Sequence, residues 1–185
     1  MAAARIFSEM EVSLACWALG CSSIRGGAAG GAGADSFHAR FKQGNTLVRS
    51  GNPEDALPVF QELQIEEPSD LSLQYAIGCA HYGSAEHHAA GGHIEDAAAA
   101  FARAQSAFEA AASASKGMLR RNAAFNGANC MARNALVGVS HVDIEKSISD
   151  FRKAIEGYHG LLAQYPGFAE AQQNLDHMQY QLKKL

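Results

Sequence analysis

Four histidines fall within thirteen residues, at His81, His87, His88 and His93, with Glu86, Glu95 and Asp96 close by. Imidazoles at that density are the one constellation in this 185-residue chain that could converge on zinc, nickel or copper. Their spacings of six, one and five residues miss the i, i+4 interval that presents two ligands on one helix face. They fit better with His81 on a helix and the other three in a polar, Gly-rich insertion from Gly83 to His93, so no metal and no cofactor is assigned.

Other chemistry is harder to build. The chain has no GxxxxGK[ST], GxSxG or HExxH pattern, and no nucleophile, base and orienting group can be named together. The expectation is a protein that is not an enzyme. Cysteines at 16, 21, 79 and 130 form no CxxC pair, and Cys79 and Cys130 fit small buried hydrophobes better than reactive thiols. The formal net charge is −4 and the 15 Lys and Arg are dispersed, so no cationic stripe exists for nucleic acid.

The elements that carry these residues divide into two parts. Residues 1–35 form a leader. Its apolar run, Val12 to Cys21, is ten residues long, against about 20 for a transmembrane helix. Trp17-Ala18-Leu19-Gly20-Cys21-Ser22-Ser23 has the form of a lipoprotein cleavage box, followed by a Gly/Ala tether through Ala34. Glu9 and Glu11 stand where a signal would be positive. Two readings stay open: Cys21 lipidated at a bacterial envelope, or a plain leader on a cytoplasmic protein.

Residues 36–185 show apolar positions at three- and four-residue spacing and no strand alternation, which makes this domain all-α. Gly44, Ala56, Phe60 and Pro68 are separated by twelve, four and eight residues. A glycine permits close helix approach, a small alanine faces it, a phenylalanine plugs the gap, and a proline stops the second helix. Asn52 and Pro53 supply that helix's cap and first residue. A second unit has Gly78 with Ala97, Phe101 and Ala104; a third has Gly127 with Ser147, Phe151 and Ala154, both after insertions. Placing Ile94 to Ala112 over Ile144 to Leu162 aligns Phe101 with Phe151 and Phe108 with Tyr158, an offset of fifty. Phe168, Ala171, Leu175, Met178 and Leu182 then form the inward stripe of a capping helix, with Glu170, Gln173, Asp176 and Lys183 outward.

This pattern resembles the tetratricopeptide-repeat family over about residues 37–185, and implies a solenoid of about three helical hairpins plus a cap. Phe125-Asn126-Gly127-Ala128-Asn129 and Glu170-Ala171-Gln172-Gln173-Asn174-Leu175 are similar to repeat segments of the envelope-associated bacterial aerotolerance-operon (Bat) proteins. The family resemblance implies a scaffold or adaptor that holds a protein or peptide segment in a concave groove. Carried over by position, that groove takes His38, Phe41, Asn45, Val48 and Arg49 from unit one. Unit two gives Ser72, Tyr75, Cys79 and Tyr82, and unit three Arg121, Ala124, Ala128, Met131 and Ala132. Only Asn45 and Arg121 could serve a clamp for an acidic chain terminus. The competing readings are that Phe41, Tyr75 and Tyr82 are core, that the repeat self-assembles into a homo-oligomer, or that the histidines make it a metal-responsive module.

Overall fold

The structure is a computed structural model that describes residues 32–139 and 144–185, with side chains from residue 36. The lipidation candidate Cys21 and the cleavage box lie outside the described residues. Among the described residues there are seven α-helices and no strand: α1 Ala32–Arg49, α2 Pro53–Glu66, α3 Leu71–Ala90, α4 Ile94–Ala114, α5 Gly117–Val139, α6 Ile144–Gln164 and α7 Ala169–Lys184. No helix among them is long and apolar enough to cross a membrane. Each helix packs on its neighbours in sequence, so α1–α2, α3–α4 and α5–α6 are three stacked hairpins and α7 closes the end.

Local chemistry sets the helix ends. Gly51 at φ 82° closes α1, and the next amide, Asn52 N–H, donates to the Leu47 carbonyl at 2.9 Å. Gly92 at φ 77° closes α3 in the same way, with His93 N–H on the His88 carbonyl at 2.8 Å. Asp70 caps α3, its Oδ1 accepting from Ser72 and Leu73 amides at 2.7 and 3.0 Å. Asn52 departs from its expected role: its side chain caps nothing and donates to Ser50 Oγ. Pro53, which has no N–H to satisfy, opens α2 without that cap.

Two expectations about helix boundaries are corrected. α1 begins at Ala32, so the last residues of the Gly/Ala tether are helical. The segment from Gly83 to Ala90 is helix rather than loop: α3 runs two turns further, Gly83, Ser84 and Ala85 are buried, and only Gly91–His93 connect it to α4. The hairpins of units two and three are therefore lengthened at their shared tip in both helices. New contacts made in the added turns hold them helical despite the glycine. Tyr82 meets Phe101 edge-on at 5.5 Å, and Arg133 on α5 donates to Glu86 on α3 at 2.6 Å.

This lengthening moves the repeat register. Gly44 lies against Phe60, where a Cβ would come within 2.4 Å of the ring, and Gly78 lies against Phe108 at 2.7 Å, not against Phe101. The plug of unit two is thus Phe108, flanked by Ala104 and Ala111, and that of unit three Tyr158, flanked by Ala154 and Leu161. Ala97, Phe101 and Phe151 belong to the extra heptad. An aromatic pair repeats in all three hairpins: Phe41–Phe60 at 6.0 Å, Tyr75–Phe108 at 5.4 Å and Phe125–Tyr158 at 6.2 Å. The small residue three positions after the first ring is Gly44, Gly78 and then Ala128. Gly127 does not play the glycine role; its nearest neighbour for a Cβ is Phe108 Cβ, at an ordinary 3.9 Å.

The buried residues divide into two clusters that meet on α5. Ala123, Cys130 and Val137 face the first two hairpins, and Phe125, Ala132 and Leu136 face α6 and α7. Both cysteines, Cys79 and Cys130, are buried. Phe60, Phe108, Tyr158, Phe101 and Phe151 are at most 1% exposed, each contributing about 1.5–3 kcal/mol by burial. On α7, Phe168, Ala171, Leu175 and Met178 are buried while Glu170, Gln173, Asp176 and Lys183 are exposed, as a cap requires.

Candidate functional site

A residue's place on a helix follows from its number once the register is known. The repeated aromatic pair fixes that register. The line that should face the groove runs through His38, Phe41, Asn45, Val48 and Arg49 on α1, and through Ser72, Tyr75, Cys79 and Tyr82 on α3. On α5 it runs through Asn122, Phe125, Asn129, Ala132 and Arg133, one residue later than the predicted set. At about 3.6 residues per turn, that single step rotates the set by about 100°.

Along α3 and α5 this line is filled by the chain's own side chains. Tyr75 is buried and accepts a hydrogen bond from Asn126 Nδ2 at 2.8 Å. Tyr158 Oη donates to Asn129 Oδ1 at 2.6 Å, and Asn174 of α7 donates to the same oxygen at 2.9 Å. These bonds satisfy amides that would otherwise be costly to bury. Burial disfavours the phenolate of Tyr158 and raises its pKa. Arg133, at 6% exposure, forms a two-pronged ion pair with Glu86. Burial alone would lower its pKa, but the Glu86 hydrogen bond and charge outweigh burial and raise it.

The predicted groove residues therefore separate. His38, Phe41 and Arg49 remain at the surface, Phe41 half-buried and stacked on Phe37 with ring centroids 6.3 Å apart. Asn45, Val48, Tyr75, Cys79 and Tyr82 are buried and not available to a partner. Arg121 is held by its own chain, with its guanidinium 4.6 Å over the Phe168 ring and its Nε and Nη2 donating to Asn122 Oδ1. Asn45 and Arg121 are thus not presented together. Met131, with Ala124 and Ala128, lies about 100° around α5 from that line.

On that face a groove of about 360 Å³ opens, with α5 as its floor and α4 and α6 as its walls. The sequence reading missed it, though a signal was there. At equivalent positions unit one carries Arg40, Val59 and Glu62, unit two Gln74, Ala107 and Ala110, and unit three Ala124, Gly157 and Gly160. Side-chain volume falls step by step towards the third hairpin. In unit one, Arg40 Nη2 bridges to Glu66 at 2.7 and 2.6 Å across this place; in unit three the two equivalents are Ala124 on the groove floor and Gln164 on its wall.

The histidines are not brought together as a ligand set. His87 and His88 lie on the last turn of α3 rather than in a loop, and His88 meets His93 edge-on at 6.3 Å between ring centroids. Among the described residues no group of three or more His, Cys, Asp or Glu is placed to hold a metal ion. His81 is half-buried, with Nδ1 buried and without a hydrogen-bond partner. Burial lowers its pKa, and the nearby Arg103 cation lowers it further.

Residues 41–114, from within α1 to the end of α4, match a family model described as tetratricopeptide repeat. No curated protein and no solved structure matches the chain.

Proposed function

Residues 41–114 match the tetratricopeptide-repeat family, and on that premise we propose that the chain is a non-enzymatic adaptor whose first hairpin anchors a segment of a partner polypeptide. Repeats of this family generally mediate protein–protein interaction. The observation that carries the finer reading is the unequal occupation of the inner line. On α3 and α5 it is closed by Tyr75, Tyr82, Asn129 and Arg133, whereas on α1 His38 and Phe41 stay accessible beside the stacked Phe37 ring, and Arg49 is exposed about two turns further along. Two half-buried aromatic faces next to an imidazole, with a guanidinium further along the same helix, suit a partner segment that has an apolar side chain and a polar or acidic group a few residues away.

The test is a photoreactive residue at position 38 of the full chain, with and without Arg49→Glu; Arg49 is exposed, so the variant leaves the core intact. Crosslinks to one partner segment that the charge-reversed variant loses support the adaptor. Crosslinks only to other copies of the chain, with light scattering that shows an oligomer, transfer the support to self-assembly.

A further inference from the structure

We propose that the groove behind α5 is a second docking site, and that its occupant is a partner segment presenting one bulky apolar side chain next to a carboxylate. This surface is separate from the one on α1, since the groove-lining residues of α5 face away from the inner line.

The floor is made of Ala124, Ala128 and Met131, and Gly157 and Gly160 keep the α6 wall low. An incoming group meets methyl, thioether and backbone surface at the floor, and polar side chains, among them Glu109, Arg120 and Gln164, at the rim. The volume, about 360 Å³, exceeds the roughly 150 Å³ in which a buried apolar cavity takes up a benzene ring. One aromatic or long aliphatic side chain fits, with room for its own backbone. The other hairpins carry a long side chain at the equivalent position: Arg40, whose head reaches Glu66, in the first, and half-buried Gln74 in the second. The third hairpin has lost that side chain, and a partner's side chain takes its place.

Charge sets what accompanies the apolar group. Arg120 lines the groove and is exposed, and Lys116 is exposed four residues earlier, at the turn into α5. Neither has an acidic partner among the described residues. The acid on the α4 wall, Glu109, accepts from Gln105 Nε2 at 2.7 Å and keeps its negative charge. With Arg120 and Lys116 on the other side, the balance of charge at the mouth is positive, and it complements a carboxylate beside the anchor.

The experiment presents the full chain with a displayed library of random heptapeptides, and then measures an enriched peptide by fluorescence anisotropy. The expected outcome is enrichment of a large apolar residue with Asp or Glu within one or two positions. Ala124→Trp, which fills the groove from within, should weaken binding about tenfold or more, as loss of a single anchor does. Arg120→Glu should weaken it too, and His38→Glu should leave it unchanged. Thermal melts establish that each variant folds; should Ala124→Trp not fold, Ala124→Gln, which installs the side chain of the second hairpin, carries the test. The proposal is overturned by peptides that bind Ala124→Trp or Ala124→Gln as well as the parent, by selection of Lys or Arg beside the apolar residue, or by the absence of any enriched pattern. Peptides lost only in His38→Glu would overturn it while supporting the adaptor reading on α1.

Discussion

Alanine at Gly78 and at Gly127 should have opposite effects on stability, although both glycines lie inside helices and both follow the same sequence logic. A Cβ on Gly78 would sit 2.7 Å from Cδ1 and Cε1 of Phe108, a ring with no exposed surface and therefore no room to retreat. Overpacking of this kind costs about 1–3 kcal/mol, and the better helix propensity of alanine offsets about 1 kcal/mol of it. Gly78→Ala should thus be neutral to about 2 kcal/mol destabilising by the same arithmetic. A Cβ on Gly127 meets only Phe108 Cβ at 3.9 Å, so Gly127→Ala should keep up to about 1 kcal/mol of propensity gain. The two variants then differ by about 1–3 kcal/mol, which for a chain of this size separates their melting temperatures by about 2–12 °C. Thermal unfolding followed by far-UV circular dichroism reads this directly. If Gly127→Ala lowers the melting temperature as much as Gly78→Ala does, Gly127 is the packing glycine of the third hairpin and the register argued from the aromatic pairs is wrong.

Three further outcomes are expected. Tyr75→Phe should cost about 1–3 kcal/mol by leaving the Asn126 amide without its acceptor, and Tyr75→Ala about 3–5 kcal/mol, both without any partner present, as urea unfolding would show. His81 has a lowered pKa in the fold, so the unfolded chain takes up the proton first. Its contribution is complete above the unfolded value near 6.5 and is lost as pH falls below it; His81→Leu should shrink the difference between urea midpoints at neutral and mildly acidic pH, and an unchanged difference would contradict the assignment. Burial pushes the Cys130 thiol well above its usual pKa, so peptide mapping should find it unalkylated by iodoacetamide in the native chain and alkylated once urea unfolds it.

Much of the architecture was legible because large and small residues alternate at fixed intervals. Gly44, Ala56, Phe60 and Pro68 define one hairpin by size alone, and the fifty-residue offset pairs Phe108 with Tyr158, but the plug role expected of Phe101 and Phe151 falls to those two instead. Two further features were not legible. Gly83 and Ser84 have the local character of a loop, but the turns they occupy are secured by Tyr82 on Phe101 and by Glu86 with Arg133 from another hairpin, contacts that outweigh the roughly 1 kcal/mol helix penalty of a glycine. The other was the choice between Gly127 and Ala128. Glycine marked the position in the first two hairpins, whereas in the third the close approach is provided from the opposite helix, by Gly157, where a Cβ would come within 3.2 Å of Ala128 Cβ. A slip of one residue was enough to move Ala124, Ala128 and Met131 from the groove behind α5 to the inner face, and to hide that groove. The surface placement of His38, Phe41 and Arg49 followed from the first hairpin, where spacing is regular. The closure of the inner line at Tyr75 and Arg133 depended on neighbouring hairpins that no local pattern describes.

The central claim is that the accessible part of the inner face, on α1, is where a partner segment is held. The most direct measurement is residue-resolved crosslinking from position 38 of the full chain, repeated with Arg49→Glu. The account predicts crosslinks to a defined segment of another polypeptide that fall sharply when Arg49 is reversed in charge. Crosslinks that stay within the chain, or that are indifferent to Arg49→Glu, would contradict it.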